Sequence, residues 1–184
     1  ESIYSYLNYG KTIGETTIFQ NINEVMPGEI VKINISSNGF NMETFNYWKL
    51  EDFYDNKEFK EDEFYNLFEE SVDIRTYSDV PYATFLSGGL DSTSIIKSQY
   101  QSGKNLNTFS VYMNNNKFDE SKYCENVANK YGTNHLAIKF DNNYTVDDVD
   151  KIISSLDEPF ADPSYMPTYL LSNKISEHFK MAIS

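Results

Sequence analysis

Cysteine is nearly absent: Cys124 stands alone in 184 residues. That excludes an intrachain disulfide. With only two histidines, His135 and His178, far apart in the chain, it also makes no recognisable zinc pattern. Each histidine is expected to be a surface or capped imidazole. Basic residues are scarce, 15 Lys and Arg against 28 Asp and Glu, for a formal net charge of −13. This balance argues against a general nucleic-acid or anionic-membrane binder, because both surfaces would repel it. An anionic ligand would need a local trap of backbone N–H groups, or a bridging cation. No apolar run approaches the roughly 20 residues of a membrane span. No secretory pattern opens the chain, so the expected setting is the reducing cytoplasm. There is no internal repeat and no low-complexity tract.

Apolar and aromatic material is plentiful. Hydrophobic residues make up 40%, with 15 Tyr and 13 Phe, enough for a core and against disorder. The length suits one ordinary domain, or one domain plus a piece of another.

Two regions differ in pattern. Residues 1–50 read as β with turns. Pro27-Gly28 signals a turn, and Val31, Ile33 and Ile35 then alternate with Lys32 and Asn34 as a half-buried strand. Ser36 to Gly39 reads as a hairpin turn, with Phe40 to Tyr47 returning. Residues 51–60 are acidic and mixed, a linker. From Glu61 the period becomes helical, with Phe64, Leu67, Phe68 and Val72 on about 15 residues. Elements then alternate over 61–184. Strands are expected at Tyr82–Leu86, Thr108–Met113, His135–Phe140 and Lys180–Ile183. Helices are expected at Asp91–Tyr100, Asp119–Tyr131 (with Gly132 as its cap), Val146–Leu156 and Tyr165–Phe179, where Pro167 falls in the first turn. This order implies an α/β fold, a parallel sheet with helices on both faces, preceded by a β-rich segment. Ligands of such sheets sit beyond the carboxyl ends of the strands.

One of those places is Ser87-Gly88-Gly89-Leu90-Asp91-Ser92. Adjacent glycines allow a sharp turn and close approach of backbone to ligand. A helix start leaves N–H groups without partners, and its dipole favours negative charge. Ser87 and Ser92 add hydroxyl donors. Together these make a phosphate cradle. No lysine follows until Lys97, so this is not the Gly-x-x-x-x-Gly-Lys-Ser/Thr loop; nor is it the Gly-x-Gly-x-x-Gly dinucleotide turn. An aspartate inside an anion cradle suggests a bridging magnesium, which binds carboxylate and phosphate oxygens together. The plainer reading of Gly-Gly-x-Asp is a glycine turn with Asp91 or Ser92 capping the helix, worth about 1 kcal/mol.

The longer string resembles the pyrophosphate loop of the N-type ATP pyrophosphatases, which adenylate a carbonyl or carboxylate. Other stretches narrow the family: Thr17 to Ile22, Met26-Pro27-Gly28-Glu29, Tyr47-Trp48, Thr108-Phe109-Ser110-Val111, Phe118-Asp119-Glu120-Ser121, Asp157 to Ser164, and Pro167 to Ser172. Over nearly the whole chain these resemble glutamine-hydrolysing asparagine synthetases. The resemblance implies that 1–50 ends a glutaminase domain and that 61–184 begins the ATP-pyrophosphatase domain. It implies ATP and Mg as cofactors, with Ser87, Gly88, Gly89, Asp91 and Ser92 on the pyrophosphate and Asp91 on the metal. Phe85, Leu86 and Val111 would line the adenine pocket, although the family usually has a smaller aliphatic residue at the Phe85 position. Ser184 matches the serine opening the next signature, roughly Ser-Gly-Asp/Glu-Gly-x-Asp-Glu. The small-molecule partners implied are ATP, aspartate and glutamine-derived ammonia, with a homodimer as the assembly.

Family members start with a catalytic cysteine, whose place Glu1 does not take, and the carboxylates of the next signature are absent, since the sequence stops at Ser184. The expectation is therefore an internal piece with no catalytic residue of its own. Alone it would be inactive, weak in Mg-ATP binding and prone to self-association. Cys124 reads as a small core residue. Asp157, Glu158 and Asp162 either form a capped loop or, through the resemblance, lie near the acceptor. Two alternatives stay open: a relative with another acceptor, such as a β-lactam synthetase or peptide cyclase, and a non-catalytic nucleotide-binding module.

Overall fold

The computed structural model describes residues 1–54, 58–112, 119–140 and 145–184. Met113, Phe118 and the middle of the expected linker lie outside the described residues. The chain divides into two units, 1–58 with 153–162, and 59–152 with 163–184.

The first unit opens with a helix, α1 (Ser2–Tyr9), where β structure was expected. Ile3 and Leu7 stand four apart on it, and Gly10 closes it by donating its N–H to the Tyr6 carbonyl at 2.8 Å. Strands β1 (Glu29–Ser36) and β2 (Gly39–Asn46) pair antiparallel, with Ser36 opposite Gly39 across a two-residue turn. The Pro27-Gly28 turn is tied to the far end of this hairpin, since Tyr47 N–H donates to the Gly28 carbonyl at 2.8 Å. A Cβ on Gly28 would run into the Trp48 carbonyl oxygen, and its φ of +76° suits only glycine well. The half-buried face expected of β1 is not found: Ile33 and Ile35 are exposed, Ile35 at 85%. A two-stranded ribbon satisfies its backbone but encloses no core by itself. The segment 153–162 belongs to this unit. Ala161 N–H donates to the Gly10 carbonyl at 2.9 Å, and Glu158 Oε2 accepts from Thr12 Oγ1 at 2.8 Å and from the Ile18 N–H at 3.3 Å.

The second unit begins with α2 (Glu61–Arg75), whose first turn carries Glu61, Asp62 and Glu63 at the positive end of the helix dipole. Its apolar spacing is helical as expected, but only Val72 is buried. Then β3 (Tyr82–Phe85), α3 (Leu90–Gln101), β4 (Asn107–Tyr112), α4 (Ser121–Tyr131), β5 (Asn134–Lys139), α5 (Val146–Ser154), α6 (Tyr165–Ser176) and β6 (Met181–Ile183) alternate. Gly132 caps α4 at φ 61°. The four strands form one parallel sheet in the order β5-β4-β3-β6. Strand order therefore reverses at β3: two crossovers run outward on one side and the next returns on the other. In open parallel sheets a crevice forms at such a switch.

Alternation along the strands gives the sheet two unlike faces. On one, Ala83 and Phe109 pack with Leu171 and Ile175 of α6, joined by Phe85, Val111, Ile138 and Phe179. On the other, Leu86 packs with Ile96 of α3, Leu106, and Cys124 and Ala128 of α4. This second face also carries buried hydroxyls. Thr84 donates to Gln99 Oε1 at 3.0 Å, and Thr108 and Ser110 each lie within hydrogen-bond distance of His135. His135 is thus no surface imidazole, whereas His178 is exposed. Polar pairs in a parallel sheet persist when each member finds a partner.

Candidate functional site

Leu86 is the last residue held by the sheet. Its N–H donates to the Phe109 carbonyl at 2.7 Å, and its own carbonyl accepts from Cys124 Sγ at 3.2 Å. From Ser87 the chain turns sharply into α3. Two serines stitch that turn together. Ser92 Oγ donates to the Gly89 carbonyl at 3.3 Å, accepts the Ser87 N–H at 3.3 Å, and lies 3.0 Å from Ser87 Oγ, which in turn accepts the Gly89 N–H at 3.3 Å.

The two glycines have different roles. Gly88 has φ +77°, and a Cβ there would stand 2.7 Å from Tyr123 Cβ and 3.2 Å from the Cys124 nitrogen. Both its conformation and its contact with α4 call for glycine. Gly89 is extended, at φ −71° and ψ 170°, and its Cβ would meet only Ser87 Oγ, at 3.3 Å. Glycine at 89 keeps the cradle clear; glycine at 88 lets the loop lie on α4.

No side chain caps α3. Asp91 and Ser92 are therefore not serving as its N-cap, and Ser92 instead braces the preceding turn. Unpartnered N–H groups at a helix start, with the dipole behind them, form an anion site. Among the described residues no three His, Cys, Asp or Glu side chains cluster to hold a metal. Asp91 is a single carboxylate in the first turn of α3. A hard divalent cation fits such a place if it takes most of its oxygen ligands from phosphate and water.

A cleft of about 360 Å³ opens beside the loop. It brings together Phe85, Leu86, Ser87 and Val111, four of the residues singled out in the sequence. Gly88, Gly89 and Ser92 follow directly on the loop. Asp91 lines a separate groove of about 390 Å³ between α2 and α3, with Phe64, Tyr65, Phe68 and Lys97. Ser184 follows β6, one residue beyond the Thr84–Ile183 pair, beside the end of β3. The cleft also includes Ser110, Glu120, Ser164, Pro167, Thr168 and Leu171, which the sequence reading did not assign. Their stretches lie within the family-like segments, but which side chains face the cleft depends on strand alternation and on where α6 packs.

Burial raises the Cys124 thiol above its ordinary range, opposed by the Ser110 hydroxyl, so Cys124 keeps its proton at neutral pH. Burial likewise pushes the His135 imidazole down, opposed by a hydrogen bond with Thr108.

The asparagine synthase family matches residues 63–184. A protein of Methanocaldococcus jannaschii is 35% identical over 143 residues, covering 75% of this chain and 27% of its own length. Asparagine synthetase (glutamine-hydrolyzing) 1 of Bacillus subtilis is 30% identical over 115 residues, 62% of this chain and 18% of that protein. Asparagine synthetase (glutamine-hydrolyzing) 3 of the same organism is 30% identical over 161 residues, 78% and 26%. The chain thus spans about a quarter, or less, of the length of these relatives. With a matching family over two thirds of its residues, a parallel sheet of the expected kind, and the serine-glycine turn at the end of its first strand, the chain belongs to the asparagine synthase family.

Proposed function

We propose that this chain is the nucleotide-binding part of a glutamine-dependent asparagine synthetase. The observation that carries the reading is the Ser87–Ser92 turn leading from β3 into an uncapped α3, in a chain of this family. In the reaction, a carboxylate oxygen of the aspartate side chain attacks the α-phosphorus of ATP and pyrophosphate leaves. Ammonia released from glutamine then attacks the acyl carbon, a proton is lost, AMP departs and asparagine forms.

The residues divide the work. The Ser87 and Ser92 hydroxyls and the N–H groups of Gly88, Leu90, Asp91 and Ser92 receive the departing pyrophosphate, where fixed donors act most strongly on developing charge. Phe85, Leu86 and Val111 form the wall against the adenine, and Ser184 closes the neighbouring strand end. A magnesium ion, when bound, neutralises phosphate charge, and Asp91 is the carboxylate that would hold it. Residues 1–50 are read as the end of the glutaminase domain and 61–184 as the start of the synthetase domain, in a cytoplasmic, homodimeric enzyme. Among the described residues no helix is long and apolar enough to cross a membrane.

The test uses the whole protein with Mg-ATP, glutamine and candidate acceptors, following AMP and pyrophosphate. Aspartate should be required, and asparagine should appear in step with AMP. Release driven by a larger carboxylate or a peptide, but not by aspartate, would replace this reading with a β-lactam synthetase or cyclase type. No release with any acceptor would leave a nucleotide-binding module.

A further inference from the structure

The cleft beside the Ser87–Ser92 turn has one charged side chain among the residues that line it, the carboxylate of Glu120. The others are apolar residues and hydroxyls, with no lysine, arginine or histidine to pair with it. The neighbouring acid, Asp119, is already engaged: Oδ1 accepts the Ser121 N–H at 3.1 Å and Oδ2 accepts from Ser121 Oγ at 3.1 Å. Glu120 is held through its backbone instead. Its carbonyl accepts the N–H groups of Tyr123 at 2.9 Å and Cys124 at 3.1 Å, which starts α4. Its side chain is exposed and makes no hydrogen bond or ion pair with another described residue.

That first turn of α4 is the part that rests on the loop. A Cβ on Gly88 would stand 2.7 Å from Tyr123 Cβ and 3.2 Å from the Cys124 nitrogen. Glu120 therefore lies within one helical turn of the phosphate cradle. Phe85 and Val111, near the ends of β3 and β4, border the same cleft. A nucleotide joins an uncharged base to a charged phosphate chain through its sugar. With the phosphates on the Ser87–Ser92 turn and the base against Phe85, Leu86 and Val111, the sugar crosses the cleft between them. A carboxylate turned toward phosphate oxygens is repelled, and no basic side chain of the cleft offsets that. Turned toward the sugar, it meets two adjacent hydroxyls. An ionised carboxylate only accepts, through two oxygens, and the sugar diol offers two O–H donors. Such charge-assisted bonds are about twice as strong as those between neutral groups. The amine of the base is the other donor in the ligand, but it lies at the end away from the phosphates, whereas the start of α4 lies against the loop.

We propose that Glu120 is the ribose-binding residue of the nucleotide site, its carboxylate accepting the 2′ and 3′ hydroxyls, and that it makes the site select ribonucleotides. The proposal rests on the nucleotide-binding reading and adds a selectivity to it. Because α4 touches Gly88 with no Cβ between them, the backbone that carries Glu120 keeps a fixed distance from the phosphate donors, as a ligand of fixed covalent length requires.

Calorimetric binding of ATP and of 2′,3′-dideoxy-ATP, each with Mg, to the whole protein tests this. The unaltered protein should bind the dideoxy nucleotide about tenfold more weakly, the low end for hydrogen bonds to a charged group. Glu120→Ala should bind ATP about tenfold more weakly and the dideoxy nucleotide as the unaltered protein does, so that the discrimination disappears, the signature of coupled groups in a double-mutant cycle. Glu120→Gln keeps an acceptor oxygen without the charge; it should discriminate about threefold, and it decides the matter if the alanine variant does not fold. Mg-pyrophosphate, which has no sugar, should bind all three proteins within about twofold. Equal losses for both nucleotides and pyrophosphate would mean that Glu120 only holds α4 in place, and would overturn the proposal. Unchanged or tighter ATP binding by Glu120→Ala overturns it too, and so does a loss of discrimination between ATP and inosine triphosphate in place of the loss at the sugar. If the unaltered protein binds ATP and dideoxy-ATP equally, the ribose assignment fails and the proposed function stands; if it binds neither, both fall.

Discussion

Gly88 lies so close to Tyr123 that a Cβ on the glycine would stand 2.7 Å from the tyrosine Cβ, a distance that real side chains do not tolerate. The neighbouring Gly89 has no such contact and an ordinary extended backbone. The first prediction separates them. Gly88→Ala should destabilise the fold by roughly 2–4 kcal/mol, combining left-handed backbone strain with a forced shift of α4. Gly89→Ala should cost under about 1 kcal/mol. Urea unfolding midpoints would check this, and equal losses at the two positions would contradict it.

Asp91 gives the opposite profile. It sits in the first turn of α3 and makes no N-cap bond, so its contribution to stability is the modest dipole effect of an acid there, about 0.5 kcal/mol. Asp91→Ala should leave the melting temperature almost unchanged, nearly abolish ATP-dependent synthesis and spare glutamine hydrolysis in the whole protein. Full synthetic rate in this variant would remove the metal-holding role.

The third prediction concerns pH. Burial holds the His135 imidazole below its ordinary value of about 6.5, with the Glu125 carboxylate and the Thr108 bond opposing it. Above that value the ring is neutral in both the folded and unfolded chains, and no penalty applies. As pH falls below it, the unfolded chain takes up the proton first, so unfolding is favoured, and the loss levels off below the folded value. The unfolding midpoint should therefore drop between pH 7.5 and 5.5, and drop less in His135→Gln. Parallel curves for the two proteins would show that another group is responsible.

Cys124 should be chemically silent. Its side chain is 1% exposed, and its thiol is pushed up by burial, so little thiolate forms at neutral pH. Thiol reagents should leave the native protein unmodified over hours at pH 7.5 and label it rapidly in urea. Fast labelling without denaturant would mean that α4 leaves the loop readily.

Much of this protein is legible along the chain. The change from period two to period 3.6 at Glu61, the strand–helix alternation after it and the Gly132 cap are local properties, decided by backbone and side-chain preferences within one turn or one pleat. The Ser87–Ser92 string belongs with them: a glycine turn, two hydroxyls and an acid before a helix say anion site wherever they fall. The α1 helix was just as local, in Ile3, Leu7 and Gly10, beside a region dominated by turn residues. Ile33 and Ile35 show the converse. Their alternation made a strand, but alternation cannot say whether anything covers the face, and here both side chains are exposed.

What only the tertiary structure decided depends on pairs distant in sequence. That β6 lies beside β3, setting Ser184 next to the end of that strand, is a matter of strand order, which no local pattern encodes. That Gly88 rather than Gly89 is the constrained glycine follows from α4 passing over the loop. Thr108, Ser110 and His135, residues of ordinary reading on two strands, meet because strand alternation turns all three toward one face of the sheet. A sequence names the groups that can donate and accept; only packing removes the water and leaves those groups to satisfy one another.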